Sequence, residues 1–212
     1  MTAVSPLVFV VDDDPSVRKG LTRLLSSSGY AVETFASARE FLARGPHPGP
    51  RCLVLDVRMP GLTGLELQER LVTGGRSMPI VFVTGHADVP KSVQAMKGGA
   101  VDLLTKPVDA KDLLAAVERS VARSAQALSA EARLTEVQGR VKLLTAREVE
   151  VFALVVTGML NKQIAAALGI GEKTVKVHRA RVMEKMRAGS VAELVRLADE
   201  VGVIVPDATK VQ

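Results

Sequence analysis

Cys52-Leu53-Val54-Leu55-Asp56-Val57-Arg58-Met59-Pro60-Gly61 is the stretch from which the rest of the chain is read. A short apolar run ends in one carboxylate, Asp56. An arginine follows, and Met59-Pro60-Gly61 stops any regular element. An apolar run of this length between turn residues predicts a strand buried on both faces. Asp56 then stands at the carboxyl end of a central strand, the edge of an open α/β sheet where ligands bind. A lone Asp at that place would equally well cap the next turn. The other strands decide between the two.

The chain has 212 residues, enough for one or two domains, and its patterning favours two. Hydrophobic residues make up 47% and aromatics 3%, so the cores are expected to be built from Val, Leu, Ala and Ile. The single cysteine, Cys52, excludes an internal disulfide and suits a reducing compartment; inside a buried strand it is expected to be a small core residue. Met1 to Pro6 contain no basic segment leading into a long apolar one, which argues against a secretory signal. No apolar run approaches the ~20 residues of a membrane span. A cytoplasmic protein without a membrane partner is expected. The net charge of +5 is uneven: residues 161–187 hold seven basic side chains and two acidic ones. Such a segment points to a polyanionic partner.

Leu7-Val8-Phe9-Val10-Val11 reads as a second buried strand. It ends in Asp12-Asp13-Asp14, and Pro15 opens a helix with apolar residues at Val17, Leu21, Leu24 and Leu25, closed by Gly29. Residues 30–35 alternate as a strand, and 37–43 form a short helix. Residues 45–50 are a loop in which His47 is expected to be exposed. Beyond Asp56, the sequence predicts a helix over 63–71, a strand over 79–84, a helix over 89–97 stopped by Gly98-Gly99, and a strand over 101–105. Gly85-His86 leave the fourth strand, and Asp109 caps the last helix of the unit. Five strands alternating with helices imply a doubly wound parallel sheet with right-handed crossovers. Parallel strands place all their carboxyl ends on one edge, so Asp12-Asp13, Asp56, Thr84 and Lys106 should converge in one cleft.

Crowded carboxylates repel, and a divalent cation relieves them. Oxygen-only ligands suit Mg²⁺, which keeps several waters beside a few carboxylates. With Lys106 as a fixed positive charge and Thr84 as a hydroxyl, the cleft suits a transferring phosphoryl group. Asp56 would be the nucleophile of an acyl phosphate. A structural ion site or a salt-bridged strand edge is the competing reading of the spacing alone.

Val10-Val11-Asp12-Asp13-Asp14-Pro15, Leu55-Asp56-Val57-Arg58-Met59-Pro60-Gly61, Val83-Thr84-Gly85-His86 and Thr105-Lys106-Pro107 occur in order and at family spacing. Through them residues 7–120 resemble the flavodoxin-like receiver domain of bacterial two-component response regulators. The resemblance implies that Asp56 accepts a phosphoryl group from a phosphohistidine on a sensor histidine kinase. It implies that Asp12 and Asp13 position Mg²⁺ (Mn²⁺ or Ca²⁺ standing in), with Asp13, Asp56 and the backbone carbonyl of Arg58 as ligands. Lys106 would pair with the phosphoryl oxygens, Thr84 would move to bond them, and Lys106-Pro107 would be cis. One position departs from the pattern. Where the family has Tyr, Phe or His three residues before its lysine, this chain has Leu103.

Residues 122–142 are rich in Ala, Arg, Ser, Glu and Gln, with Leu128, Leu134, Val137 and Val141 at loosely helical intervals. They read as a helical linker, interrupted near Gly139, either a solvated spacer or a short dimerising coiled coil. Thr145 and Glu148 have capping-box spacing and open a helix to Val156. Asn161 is expected to cap the next helix, which Gly169 ends. A basic helix over 172–186 follows, with Val175, Val182, Met183 and Met186 as its buried face. Ser190 caps a fourth helix, whose Leu194, Leu197 and Ala198 face the core. Two short helices joined at Gly169-Ile170-Gly171, the second basic, form a helix-turn-helix whose second helix can enter the DNA major groove. From charge alone, a merely solvated face is the alternative.

Leu144-Thr145-Ala146-Arg147-Glu148, Asn161-Lys162-Gln163-Ile164-Ala165-Ala166-Ala167-Leu168-Gly169-Ile170 and Lys173-Thr174-Val175-Lys176-Val177-His178-Arg179 make residues 143–200 resemble the LuxR-type domain of the NarL/FixJ subfamily. The resemblance implies DNA contacts from Lys173, Thr174, Lys176, Val177, His178 and Arg179, with Lys162 on a backbone phosphate. Lys176 and Val177 would read bases. Ala180 stands where some relatives carry a base-contacting lysine, and Arg179 or Arg181 would compensate. His178 has no second metal ligand near it in sequence, so it reads as a phosphate or packing contact.

The expected whole is a receiver over 1–121, a helical linker over 122–142 and an all-α DNA-binding domain over 143–212. It would be a phosphorylation-controlled regulator that is not an enzyme and that binds promoter DNA as a homodimer, with RNA polymerase as a further partner. The rival is a phosphohydrolase of the haloacid-dehalogenase type. That family carries a second acid two residues after its nucleophile, where this chain has Arg58. A third reading, control by protein contacts without phosphorylation, is disfavoured by the complete acid pocket.

Leu103 generates one expectation of its own. Full burial of a leucine is worth ~1.5–3 kcal/mol, and leucine finds that burial in more than one rotamer. A signal shifts an equilibrium only through its differential interaction with the two states. The coupling of phosphorylation to dimerisation should therefore be weaker here than in a Leu103→Phe or Leu103→Tyr variant. Sedimentation with and without beryllofluoride should show the smaller monomer-to-dimer shift for the wild type. An equal or larger shift would mean that position 103 carries no part of the signal.

Overall fold

The computed structural model describes residues 5–85 and 89–202. Residues 1–4, residues 86–88 with the expected strand exit at His86, and residues 203–212 lie outside the described residues. The chain divides into two compact units, residues 1–129 and 130–212.

The first unit alternates strand and helix: β1 (Leu7–Val11), α1 (Pro15–Ser27), β2 (Ala31–Phe35), α2 (Ala38–Ala43), β3 (Arg51–Asp56), α3 (Gly64–Thr73), β4 (Ile80–Thr84), α4 (Val89–Lys97), β5 (Asp102–Thr105) and the start of α5 (Ala110–Lys142). The strands are all parallel in the order β2-β1-β3-β4-β5. Side chains alternate across a strand, and here both sets are apolar. Phe9, Val11, Leu53, Leu55 and Phe82 pack against Phe41, Leu67, Leu71 and Ala95 of α2, α3 and α4. Val8, Val10, Cys52, Val54, Val81 and Val83 pack against Leu21, Leu25, Leu113, Ala116 and Val117 of α1 and α5. Cys52 is buried as expected. The central strands are uniformly buried, whereas the edge strands β2 and β5 are half-exposed.

Two expectations change in this unit. Four of the chain's five phenylalanines are buried in this unit, and Phe41 meets both Phe9 and Phe35 edge-on, so its core is partly aromatic. His47 is half-buried, not simply exposed, with its ring edge-on to Phe9 at 6.3 Å.

The segment read as a linker is helical throughout, and α5 continues through Gly139 without interruption. A glycine inside a helix costs about 1 kcal/mol. Packing on both sides of it offsets that cost, since Val137 is buried and Val141 lies against the same cluster. Ser124 near the start of this segment accepts a hydrogen bond from the Arg51 amide at 3.0 Å. Farther along, Arg133 meets Glu200 at 2.7 Å, and Arg140 donates to the Met186 carbonyl at 3.1 Å. The helix is thus taken up by one unit at its start and by the other at its end.

In the second unit the remainder of α5 is followed by α6 (Ala146–Val156), α7 (Asn161–Leu168), α8 (Glu172–Met186) and α9 (Val191–Glu200). Val151, Phe152, Val155, Ile164, Val175, Val182, Met186, Leu194, Leu197 and Ala198 form its core. Met183 is only partly buried at its margin. Gly169 adopts φ 65°, the left-handed turn that lets α7 end and α8 begin at once. Asn161 does not cap α7. Its side-chain oxygen accepts from Arg179 Nη1 at 3.0 Å, and the Gln163 side chain takes the Leu160 amide at 2.7 Å instead.

The capping box of α6 is present, and it does more than cap. Glu148 accepts the Thr145 amide at 2.8 Å and also Lys185 Nζ of α8 at 2.6 Å, while its side chain is only 2% exposed. The Lys185 hydrogen bond first, then the Thr145 amide, pull the Glu148 carboxyl down to about 2. Its stabilising effect is complete above the ordinary glutamate value of 4.5 and is lost as pH falls toward about 2. Lys185→Met should cost roughly 1–3 kcal/mol at neutral pH, because it strands a buried carboxylate. It should also flatten the acid sensitivity of this unit. Hydrogen-exchange mass spectrometry of peptides from 146–200 at pH 7 and pH 3 measures both effects. Unchanged exchange in the variant at pH 7 would contradict this role.

Candidate functional site

Three strand ends meet at the carboxyl edge of the sheet. β1 runs directly into Asp12 and Asp13, β3 ends on Asp56, and β4 ends on Thr84. Asp56 pairs in register with Val83, which sets Thr84 one step beyond it. Asp12, Asp56 and Thr84 are buried, and Asp13 is exposed. Carboxylate oxygens of Asp12, Asp13 and Asp56 all lie within 4.8 Å of one another. Lys106 follows β5, its amide donates to the Thr84 carbonyl at 2.8 Å, and the peptide to Pro107 is cis. Lys106 Nζ lies 2.7 Å from Asp12 Oδ2 and 3.7 Å from Asp56 Oδ2.

The charges do not balance. Three carboxylates against one ammonium leave two negative charges over. Unit charges about 4 Å apart interact by roughly 4 kcal/mol at an effective dielectric near 20, several times a net hydrogen bond of ~1 kcal/mol. Burial, together with the charges of Asp12 and Asp13, pushes the Asp56 carboxyl up; Lys106 and the Arg58 amide oppose that rise. Burial works against the Lys106 charge, but the Asp12 hydrogen bond and the surrounding carboxylates outweigh it and raise its ammonium above the ordinary lysine range. One divalent cation would balance this excess, and an all-oxygen donor set suits a hard ion.

Two residues that the sequence reading did not single out position these acids. Arg18, one turn into α1, donates from Nη1 to the carbonyls of Asp12 at 2.6 Å and Asp13 at 3.0 Å. Its signal was an arginine one helical turn after an acid pair. Gly64 opens α3 beneath the Asp56 backbone, where a Cβ would stand 2.2 Å from the Asp56 carbonyl oxygen. Nothing in the local sequence distinguishes it from an ordinary turn glycine.

On α8, Lys173, Thr174, Lys176, Val177, Ala180 and Arg181 are exposed, and Val177 presents a large apolar side chain at 49% exposure. Lys176 lies 3.8 Å from Glu172 one turn back. His178 and Arg179 stand on the flanks of this face, both half-buried, with Arg179 bonded to Asn161. Lys162 is exposed on α7. The expected contact residues therefore separate into an open face and a flanking pair tied to the domain itself. Leu103 sits on β5 opposite Phe82, partly buried against the core beneath α2–α4.

Gly64→Ala should force α3 away from the end of β3. The cost expected is roughly 1–3 kcal/mol for overpacking, read as a fall in the urea midpoint. Gly20→Ala is the control, since open space surrounds its Cβ position. Equal midpoints for Gly64→Ala and the wild type would contradict the close approach.

The family model for the response regulator receiver domain matches residues 8–118. That for bacterial regulatory proteins of the luxR family matches residues 142–198. Nodulation protein W of Bradyrhizobium diazoefficiens is 46% identical over 93% of this chain and 87% of its own length. The transcriptional regulatory protein FixJ of Azorhizobium caulinodans is 48% identical over 94% of this chain and 95% of its own. Among solved structures, the response regulator StyR aligns with a TM-score of 0.85 at 46% identity, covering 93% of this chain and all of that one. With receiver and luxR-type models in tandem and relatives of this coverage, the chain belongs to the NarL/FixJ-type two-component response regulators, phosphorylation-controlled DNA-binding regulators of transcription.

Proposed function

We propose that Asp56 is the phosphoacceptor. One carboxylate oxygen attacks the phosphorus of a phosphohistidine on the partner sensor kinase. The P–N bond breaks, the imidazole leaves with a proton, and an acyl phosphate forms on Asp56. The observation that carries this reading is the convergence of Asp12, Asp13 and Asp56 within 4.8 Å beside Lys106. This is an acidic pocket of the kind in which receiver domains bind Mg²⁺. Asp13, Asp56 and the Arg58 carbonyl would hold that ion, with Asp12 positioning it and Mn²⁺ or Ca²⁺ able to stand in. When bound, the ion supplies charge neutralisation for the incoming phosphoryl oxygens. Lys106 exchanges part of its pairing with Asp12 for a phosphoryl oxygen, and the Thr84 hydroxyl donates to another. Beyond this transfer and slow self-dephosphorylation, no turnover is proposed.

The same reading assigns residues 1–121 to the receiver, 122–142 to the helical connection and 143–212 to DNA binding. Phosphorylation brings two copies onto paired half-sites of promoter DNA in the cytoplasm, with RNA polymerase as a further partner. Lys176 and Val177 read base edges, supported by Lys173, Thr174 and Arg181 on the same exposed face. Lys162 contacts a phosphate. His178 and Arg179 contribute from the flanks.

Two arms of one experiment test this. Incubation with acetyl phosphate and Mg²⁺ should add one phosphoryl mass to the wild type and none to Asp56→Asn or to a chelated sample. Labelling that survives in Asp56→Asn removes the assignment. On promoter DNA, Lys176→Ala should cost roughly 1–3 kcal/mol and relax base preference. Lys162→Ala should weaken all sequences alike and lower the salt slope by about 1. Wild-type binding by both variants would place the DNA contacts elsewhere.

A further inference from the structure

The amino-terminal edge of the sheet, opposite the acid pocket, holds a cavity of about 150 Å³. Phe9, Phe41 and Met78 give it an apolar lining, and Arg44, Arg51, Arg76 and His47 give it a cationic one. Arg44 is already satisfied: its Nε meets Glu33 at 2.8 Å, and its guanidinium lies 4.5 Å over the Phe9 ring. Arg51 and Arg76 are different. Arg51 Nη1 donates to the His47 carbonyl at 2.6 Å, and Arg76 donates to the carbonyls of Leu42 at 3.2 Å and Arg44 at 2.9 Å. Among the described residues neither has a carboxylate partner, so two positive charges stand uncompensated at this cavity. The His47 Nε2 is shielded from solvent and has no hydrogen-bond partner among the described residues.

We propose that this cavity binds a small carboxylate with an apolar body. A planar guanidinium fork matches a carboxylate in geometry as well as charge. The apolar lining disfavours a fully hydrated inorganic anion, and the arginines exclude a cation. Ligand pockets for drug-sized molecules start near 300 Å³, whereas a cavity of ~150 Å³ admits a single benzene ring. The occupant is therefore one ring or short branched chain carrying one carboxylate. The site uses no residue of the phosphoryl-transfer pocket or of α8, so it stands independently of the functions proposed above. His47 supplies a built-in reporter. Burial and the charges of Arg44 and Arg51 hold its imidazole below the ordinary histidine range, against the opposing effects of Glu33 and the Ser5 backbone. An anion in the cavity must raise it.

Benzoate is the probe, titrated into the full-length ¹⁵N-labelled protein, with benzamide and inorganic phosphate as separate arms. Benzoate should shift the amides of Arg51, His47 and Arg76 saturably, leave those of Asp56 and Lys106 unmoved, and raise the titration midpoint of the His47 ring protons. Benzamide and phosphate should bind more weakly by roughly tenfold or more, the loss of one charge-assisted contact. Arg51→Gln should lose benzoate binding by a similar factor while keeping the wild-type spectrum elsewhere. Equal binding of benzamide, shifts centred on Lys106, or no saturable shift up to tens of millimolar would each overturn the proposal. So would an unmoved His47 midpoint in the wild type, a result that does not depend on any variant folding.

Discussion

The ion pair between Lys106 and Asp12, 2.7 Å long at the buried edge of a parallel sheet, is the contact on which the acid pocket depends. Two charges taken out of water hold together only if their remaining hydrogen-bonding capacity is met. Both oxygens of Asp12 are used, one by Lys106 and the other by the Asp14 amide at 2.9 Å. Arg18 ties down the backbone of the acid pair through both carbonyls. Asp14 caps α1 through the Ser16 amide at 2.7 Å. The three consecutive aspartates are therefore held differently: Asp12 is ion-paired, Asp13 is exposed at the mouth of the cluster, and Asp14 caps a helix. What the pocket lacks is charge, because Asp56 and Asp13 have only a share of one lysine.

The second unit repeats the device with a different outcome. Glu148 is as buried as Asp12, but Lys185 and the Thr145 amide and hydroxyl satisfy it, and its carboxyl is held low. The pair is closed, and it ties α8 to α6 by charge as well as by Val175, Val182 and Met186. A helix anchored along one side can present the other side as a rigid surface. The open carboxylate cluster of one unit and the closed ion pair of the other thus suit a switch and a fixed reading head, respectively.

Much of this was legible in the chain because the signals were local. The expected bounds of β1 and α4 agree with the structure to the residue, and those of β3 and β4 to within one, since short apolar runs and Gly-Gly stops leave little choice. The acid pocket followed from topology, because parallel strands bring their carboxyl ends together whatever lies between them. Contacts that depend on distant partners were not legible. Asn161 has the composition of a cap, but Arg179, 18 residues later, takes its oxygen. Gly139 has the composition of a break, but burial of Val137 carries the helix through it. His47 sits in a Pro/Gly loop that reads as exposed, yet the loop folds over Phe9. Gly64 matters only through a backbone approach of 2.2 Å to a Cβ it does not have.

Asp12, Asp13 and Asp56 are held in one cluster that a divalent cation would stabilise. Thermal unfolding of the receiver unit with increasing Mg²⁺ tests it directly, since a ligand that binds only the folded state raises the midpoint by mass action. The wild type should show a saturable rise, Asp13→Asn and Asp56→Asn a much smaller one, and the double variant none. A rise of wild-type size in the double variant would contradict it, because the ion would then be bound elsewhere.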